Sequence, residues 1–157
     1  MFKMFYLFFY TILMTTLTIA TLNVRSVRST LRAQNVLSFL KNFKSDIFLL
    51  QECALPFLSS YRKWEEMWTM GPSIWSGSNF NKNDGVAILI NNSNIMVKGT
   101  TVVRGGRAIL VNLTFLGKDL NILNVYGFTE KNDRHELLED LQPHMLGRVP
   151  LVVAGDF

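Results

Sequence analysis

The 157-residue chain is long enough to bury a hydrophobic core, and its composition excludes several classes of protein. Hydrophobic residues make up 48% of the chain and charged residues 18%, which is too apolar for an intrinsically disordered protein. The net charge of +4 is compatible with a polyanionic partner, although no block of consecutive basic residues marks a nucleic-acid tail. The single cysteine, Cys53, excludes an internal disulfide, and together with two histidines it provides no recognised zinc-ligand spacing.

Residues 1–16 are predicted to be an apolar extension in front of the domain. The stretch from Met1 to Met14 carries one charge, at Lys3, and its length suits the apolar region of a signal peptide better than a membrane span of about 20 residues. Cleavage near Ala20 would divide a predicted strand, however. We therefore favour an extension without a targeting role, and a secretion signal or membrane anchor is the alternative.

Residues 17–157 are predicted to form one α/β domain, because no repeat, low-complexity tract or linker divides them. Apolar residues at three- and four-residue spacing predict a helix at 30–43 and a second from about 132 to 142, which Pro143 would end. A polar hairpin turn is expected at 117–119. Short β-rich runs predict six strands, at 17–24, 46–51, 86–90, 108–115, 120–126 and 150–154.

Four of these strands each deliver one polar residue at the carboxyl end, namely Asn23, Glu52, Tyr126 and Asp156. The carboxyl ends of strands are where α/β sheets commonly place ligand sites. A carboxylate pair is what a hard divalent cation requires, and Mg²⁺ takes one or two carboxylates together with water and substrate phosphate. An amide and a phenol beside the cation would orient a phosphate and stabilise developing negative charge.

Four short motifs surround these polar residues: Thr21-Leu22-Asn23-Val24-Arg25, Phe48-Leu49-Leu50-Gln51-Glu52, Asn124-Val125-Tyr126 and Gly155-Asp156-Phe157. In this order they resemble the motifs of the endonuclease/exonuclease/phosphatase superfamily, which has the DNase-I-like fold. Residues 23–26 and 120–127 most resemble the apurinic-type endonuclease domain of LINE-type retrotransposons. The resemblance covers roughly 17–157 and implies a partial two-sheet α/β sandwich flanked by helices, with roughly the first sheet and its helices present.

The resemblance also implies a role for each polar residue. Glu52 would be the principal ligand of Mg²⁺, with Mn²⁺ as an alternative, and Asn23 would lie beside the metal as a second ligand and contact the scissile phosphate. Tyr126 would hydrogen-bond a phosphate oxygen in the transition state. Asp156 would orient or deprotonate the attacking water, which displaces the 3′ oxygen and leaves a 3′ hydroxyl. The implied function is Mg²⁺-dependent hydrolysis of DNA in the nucleus, without a small-molecule cofactor.

The superfamily pattern continues beyond Phe157 with an asparagine and, later, a Ser-Asp-His motif. We therefore expect little or no nicking activity from this chain, and poor solubility because one sheet would lack its partner. His135 and His144 precede Asp156 and are not expected to replace the later histidine. One alternative is an inositol-lipid or sphingomyelin phosphodiesterase or phosphatase of the same superfamily, membrane-associated or secreted. Another is a non-catalytic remnant that binds DNA or nothing.

The remaining conspicuous residues are predicted to be structural. The segment 104–107, with two arginines around two glycines, is expected to be a turn into a strand rather than a phosphate contact. Trp64, Trp68 and Trp75 are expected to pack in the core or at an interface rather than to stack on bases. Cys53 is expected to be a small buried residue.

Overall fold

A computed structural model describes residues 4–12 and 15–157 of the chain. The described residues form three helices, α1 (Thr30–Lys41), α2 (Arg62–Met67) and α3 (Lys131–Met145), none of which is long and apolar enough to cross a membrane. They also form nine strands: β1 (Met4–Ile12), β2 (Thr15–Asn23), β3 (Ile47–Gln51), β4 (Ser73–Ser76), β5 (Val86–Ile90), β6 (Ile95–Arg104), β7 (Ala108–Phe115), β8 (Lys118–Tyr126) and β9 (Leu151–Asp156).

The strands form two sheets that follow one another along the chain. The first sheet has the order β1-β2-β3-β5-β4, and the second has the order β6-β7-β8-β9. Each sheet contains one parallel pair, β2 with β3 and β8 with β9, and the other pairs are antiparallel. The parallel pairs align Asn23 with Gln51 and Tyr126 with Asp156, so each sheet brings two strand ends together at one edge.

The two sheets pack face to face, and helices cover both outer faces. Ile47, Leu49, Ile88, Ile109 and Val111 are fully buried between the sheets. The helices α1 and α2 cover the outer face of the first sheet, and α3 covers the second. This four-layer arrangement confirms the predicted α/β sandwich. The expectation that one sheet lacks its partner is wrong, because the strands that follow β5 close over the first sheet.

Most predicted elements are present. The strands predicted at 86–90 and 108–115 have those bounds, and the other four differ by at most two residues at either end. The two-residue hairpin turn is formed by Leu116 and Gly117, both at positive φ, so it begins one residue and ends two residues earlier than expected. Pro143 does not end α3, which continues to Met145. A proline so near the carboxyl end interrupts only the last turn of a helix.

Met4–Ile12, part of the predicted amino-terminal extension, forms the edge strand β1 and pairs antiparallel with β2. Residues 1–3 and 13–14, which belong to the same prediction, lie outside the described residues. The pairing shows how this segment is placed against the first sheet, whereas the favoured extension without a targeting role and the alternative signal or anchor both remain predictions.

Candidate active site

The structure brings the four predicted site residues together where the two sheets meet. The Nδ2 atom of Asn23 donates a hydrogen bond to Oδ2 of Asp156 at 2.8 Å. The hydroxyl of Tyr126 donates to Oε1 of Glu52 at 3.1 Å. Each bond joins one residue of the first sheet region to one residue of the second. The site is therefore formed by the packing of the sheets and not by either sheet alone.

A cavity of about 140 Å³ opens among these strand ends. It is lined by Thr21, Leu22, Asn23, Arg25, Gln51, Glu52, Gly155 and Asp156. A neighbouring cleft shares Glu52 and Asp156 and adds Tyr126 to its lining. All four predicted residues are half-buried, so they are held in place and still reachable from solvent.

Glu52 adopts a backbone conformation that is uncommon for a residue with a side chain. Its φ is +51°, in the left-handed region. Hydrogen bonds on both sides hold it there: Ser26 N donates to the carbonyl of Glu52 at 2.6 Å, and Cys53 N donates to the carbonyl of Gly85 at 2.9 Å. The chain therefore turns directly after β3, which directs the carboxylate to the strand ends instead of along the sheet.

Gly155 explains why a glycine precedes Asp156. Its φ is +154°, and a Cβ at this position would lie 1.8 Å from the carbonyl oxygen of Val125. The glycine therefore lets β9 approach β8 closely at the point where Asp156 must reach the first sheet.

Tyr126 is held as a neutral hydrogen-bond donor. Burial, and then the nearby charge of Glu52, raise the pKa of the Tyr126 phenol to about 12. The Arg107 guanidinium lies 4.2 Å from the ring centre and opposes this shift. At neutral pH the phenol thus keeps the proton that it donates to Glu52.

Arg107 and Asp84 form a buried ion pair beneath the site, which the sequence analysis missed. Nη2 of Arg107 lies 2.7 Å from Oδ1 of Asp84, and Nη1 donates to the carbonyl of Gly127 at 2.6 Å. The guanidinium also lies 3.9 Å from the ring centre of Phe128. Burial raises the pKa of the Asp84 carboxyl, and Arg107 acts in the opposite direction.

The turn predicted at 104–107 is present, since Arg107 N donates to the carbonyl of Arg104, but the Arg107 side chain is buried. The sequence feature that could have indicated a buried arginine is the position of Arg107 directly before the apolar strand β7.

The other conspicuous residues line neither the cavity nor the neighbouring cleft. Trp64, Trp68 and Trp75 are buried in the core between the first sheet and its helices, as predicted. Cys53 is also buried, as predicted, and burial raises the pKa of its thiol. His135 and His144 belong to α3 on the outer face of the second sheet, and His135 lies 3.3 Å from Glu139.

The donor atoms at the site suit a hard cation with a largely aqueous shell. Oε1 of Glu52 accepts a hydrogen bond from Tyr126, and the carboxylate faces the cavity. Oδ1 of Asn23 accepts from the backbone N–H of Arg25 at 3.2 Å. Among the described residues, no three His, Cys, Asp or Glu side chains cluster as a metal site. One carboxylate with an amide oxygen nearby still fits Mg²⁺, which keeps several waters.

The sequence of residues 20–157 matches the Endonuclease/Exonuclease/phosphatase family. The chain belongs to this family. The resemblance to the superfamily is thereby confirmed, and the family is one of divalent-metal-dependent phosphodiesterases and nucleases. A search of curated protein sequences finds no match.

Solved structures of the family share the fold of this chain. D. rerio TDP2 complexed with single strand DNA product superposes with a TM-score of 0.67 at 17% identity, covering 89% of this chain and 60% of that one. An AP endonuclease from Archaeoglobus fulgidus gives a TM-score of 0.60 at 26% identity, covering 89% and 56%. A humanized D. rerio TDP2 with 14 mutations gives 0.64 at 17%, covering 89% and 65%. The chain therefore spans between 56% and 65% of these three relatives.

Proposed function

We propose that this family member hydrolyses phosphodiester bonds in DNA with Mg²⁺, as a LINE-type endonuclease of the nucleus. The observation that carries the proposal is the pair of hydrogen bonds between the sheets, Asn23 to Asp156 and Tyr126 to Glu52, at a cavity and a neighbouring cleft that share Glu52 and Asp156. They place two carboxylates, an amide and a neutral phenol where a phosphate can enter. The D. rerio relative bound to single strand DNA product supports DNA as the substrate class.

Each of the four residues has a role in this proposal. Glu52 holds Mg²⁺, or Mn²⁺ as the alternative, and Asn23 lies beside it. When bound, the cation polarises the phosphate and offsets its developing negative charge. On substrate binding, Tyr126 turns its single phenolic hydrogen from Glu52 to a phosphate oxygen. Asp156, oriented by the amide of Asn23, accepts a proton from the attacking water.

Basic side chains around the loop between β2 and α1 favour a polyanionic substrate. Arg25 lines the cavity and is exposed, and Arg28 follows it in the same exposed loop. Nε of Arg32 donates to the carbonyl of Ser26 at 2.8 Å, and Nζ of Lys63 donates to the carbonyl of Arg28 at 3.4 Å. A phosphate backbone that passes over the cavity would meet this positive rim.

Metal binding by the whole 157-residue chain tests the proposed site. We expect Mn²⁺ binding, followed by water-proton relaxation, to weaken by at least about tenfold in Glu52→Gln, because the variant lacks the principal ligand charge. The matched control is Glu66→Gln, which removes an exposed carboxylate that pairs with Arg62 on α2. Equal Mn²⁺ affinity for the wild type and Glu52→Gln would reject the site.

Substrate class and turnover are tested with the same proteins. We expect Mg²⁺-dependent binding of labelled DNA, measured by fluorescence anisotropy, and no binding to sphingomyelin or phosphoinositide vesicles. Turnover is measured as nicking of supercoiled plasmid, for which the sequence predicts little or no activity. Robust nicking by the wild type that is lost in Glu52→Ala would establish hydrolysis of DNA phosphodiester bonds. It would also contradict the expectation of little or no nicking activity. Lipid hydrolysis without DNA binding would replace the proposal with the alternative superfamily activity.

The LINE-type assignment is tested separately by the reading frame downstream of codon 157. Reverse-transcriptase sequence in that frame would support it. A lipid-phosphatase domain in that frame would contradict it.

A further inference from the structure

A buried amide network joins the two sheets directly beneath the candidate site. Asn124 in β8 and Gln51 in β3 are 0% and 1% exposed. Nε2 of Gln51 donates to Oδ1 of Asn124 at 2.7 Å, across the interface between the sheets. Thr21 in β2 extends the network, since its hydroxyl lies 3.2 Å from Oε1 of Gln51.

Asn124 fits only one position on the first sheet. Its Nδ2 group donates to two backbone carbonyls, Leu50 O at 3.0 Å and Ala87 O at 2.8 Å. Leu50 and Ala87 are paired residues of the neighbouring strands β3 and β5. Both hydrogens of the amide are therefore used at a single paired position of the first sheet.

Such a network selects the register of the two sheets more strongly than apolar packing does. Apolar side chains between sheets can repack after a small shift at moderate cost. Buried amides that lose their partners incur the full cost of desolvation, and hydrogen bonds are directional. A sliding of one sheet over the other would break the bonds of Asn124 and Gln51 together. The network therefore favours one alignment.

The residues of the amide network lie one or two positions before the site residues on the same strands. Residues two apart on a strand face the same side, so Asn124 and Tyr126 both face the first sheet, as Thr21 and Asn23 both face the second. Gln51 directly precedes Glu52. The alignment that satisfies the amides is thus the one in which Tyr126 meets Glu52 and Asn23 meets Asp156.

We propose that Asn124 and Gln51 are positioning residues, whose amide network aligns the two sheets so that the half of the site on each sheet meets the other half. This inference rests on the proposed function for the chemistry of the site. It extends that function by assigning the alignment of the catalytic groups to residues that do not touch the substrate.

The Tyr126 phenol reports this alignment without any need for turnover. In the wild-type chain, labelled with ¹³C at the tyrosine ζ carbon and assigned with Tyr126→Phe, we expect NMR to give the pKa of Tyr126 near the value of about 12 that burial and Glu52 impose. In Asn124→Leu, and in Gln51→Met/Asn124→Leu, which keeps the interior filled, we expect this pKa to fall toward the ordinary value of 10.0. The fall would show that the phenol has left its buried position beside Glu52.

The matched control is Asn112→Leu. Nδ2 of Asn112 donates to Oδ1 of Asn121 at 2.7 Å, within the second sheet alone. This hydrogen bond has the same length as the one between Gln51 and Asn124, which joins the two sheets. We expect its Tyr126 titration to match the wild type. A Tyr126 titration unchanged in folded Asn124→Leu or in the folded double variant would overturn the proposal, as would an equal shift in Asn112→Leu.

The milder Gln51→Met variant decides the matter if both Asn124 variants fail to fold. It leaves the two hydrogen bonds from Asn124 to backbone carbonyls in place, so we expect a smaller fall in the pKa of Tyr126. An unchanged pKa of Tyr126 in this variant overturns the proposal.

Failure of the proposed function gives a different result. If neither metal nor DNA binds, and the pKa of Tyr126 still falls in Asn124→Leu, the nuclease assignment is rejected and the positioning role stands.

Discussion

At the scale of single residues, the site depends on backbone positions that ordinary side chains disfavour. Glu52 has a φ of +51° directly after β3, and Gly155 has a φ of +154° directly before Asp156. Hydrogen bonds from neighbouring loops hold Glu52 in place, and the absent side chain at Gly155 makes room for β9. Both carboxylates are therefore presented by local geometry that single substitutions can test.

Gly155→Ala is expected to destabilise the chain strongly. The new Cβ would lie 1.8 Å from the carbonyl oxygen of Val125, in addition to the strain of positive φ. The backbone strain alone exceeds about 1 kcal/mol, and the steric clash adds to it. Urea unfolding measures the loss in the free energy of unfolding. Gly147→Ala is the control, because nothing lies within 4 Å of a Cβ there. Equal stability of the two variants would contradict this account of β9.

Tyr126 is expected to make stability depend on alkaline pH. Its pKa in the folded chain is raised to about 12 from 10.0, so the folded state binds the phenolic proton more tightly than the unfolded state. The resulting stabilisation is complete below pH 10 and is lost as the pH rises to about 12. The difference in unfolding free energy between the wild type and Tyr126→Phe should therefore shrink over this range. A constant difference from pH 9 to 12 would contradict the raised pKa.

At the scale of elements, α1 and the loop before it hold the basic rim of the cavity. The side chain of Ser29 caps α1 by accepting a hydrogen bond from Arg32 N at 3.3 Å. Arg32 in turn donates to the carbonyls of Ser26 and Val24. The start of the helix is thus connected to the loop that follows Asn23.

Ser29→Ala is expected to lower the free energy of unfolding by about 1 kcal/mol, because it removes this cap. The control is Ser38→Ala, an exposed position in the interior of α1, where alanine is the better helix former. Urea unfolding of both variants measures the difference. A loss as large in Ser38→Ala as in Ser29→Ala would show that the hydroxyl of Ser29 does not act as a cap.

The elements that could be predicted from sequence are those with strong local patterns. The apolar runs of β5 and β7 and the spacing in α1 gave nearly correct bounds, and the four site residues follow such runs directly. The six-residue helix α2 is too short to show periodicity, and β6 alternates poorly because much of it is exposed. The contacts that support the site join distant residues: Asn124 lies 73 positions from Gln51, and Arg107 lies 23 from Asp84. Local patterns carry no information on such pairings.

At the scale of the whole molecule, the shared core changes what is expected in solution. The reason first given for poor solubility, a sheet without a partner, does not hold. Another reason remains, because β9 is the outermost strand of the second sheet and consists largely of apolar residues. Parallel apolar strands are usually covered on both sides, and exposed edges pair with other chains.

The two sheets are expected to unfold together, because they share one core and the buried network around Asn124. Tryptophan fluorescence reports the core between the first sheet and its helices, where all three tryptophans lie, and far-ultraviolet circular dichroism reports both sheets. The two signals should give the same urea midpoint at low protein concentration. An earlier fluorescence transition would show that the first sheet opens by itself.

The sequential arrangement of the sheets has a further consequence. The first sheet ends at Ile90 and the second begins at Ile95, so four residues, 91–94, connect the two halves of the sandwich. A cut in this connection would yield two fragments, each carrying one member of both hydrogen-bonded pairs at the site. Neither fragment would contain all four groups, and the complete set would return only when the fragments reassociate. This chain is thus a natural candidate for a split protein, in which recovery of the site on mixing reports that two halves have met.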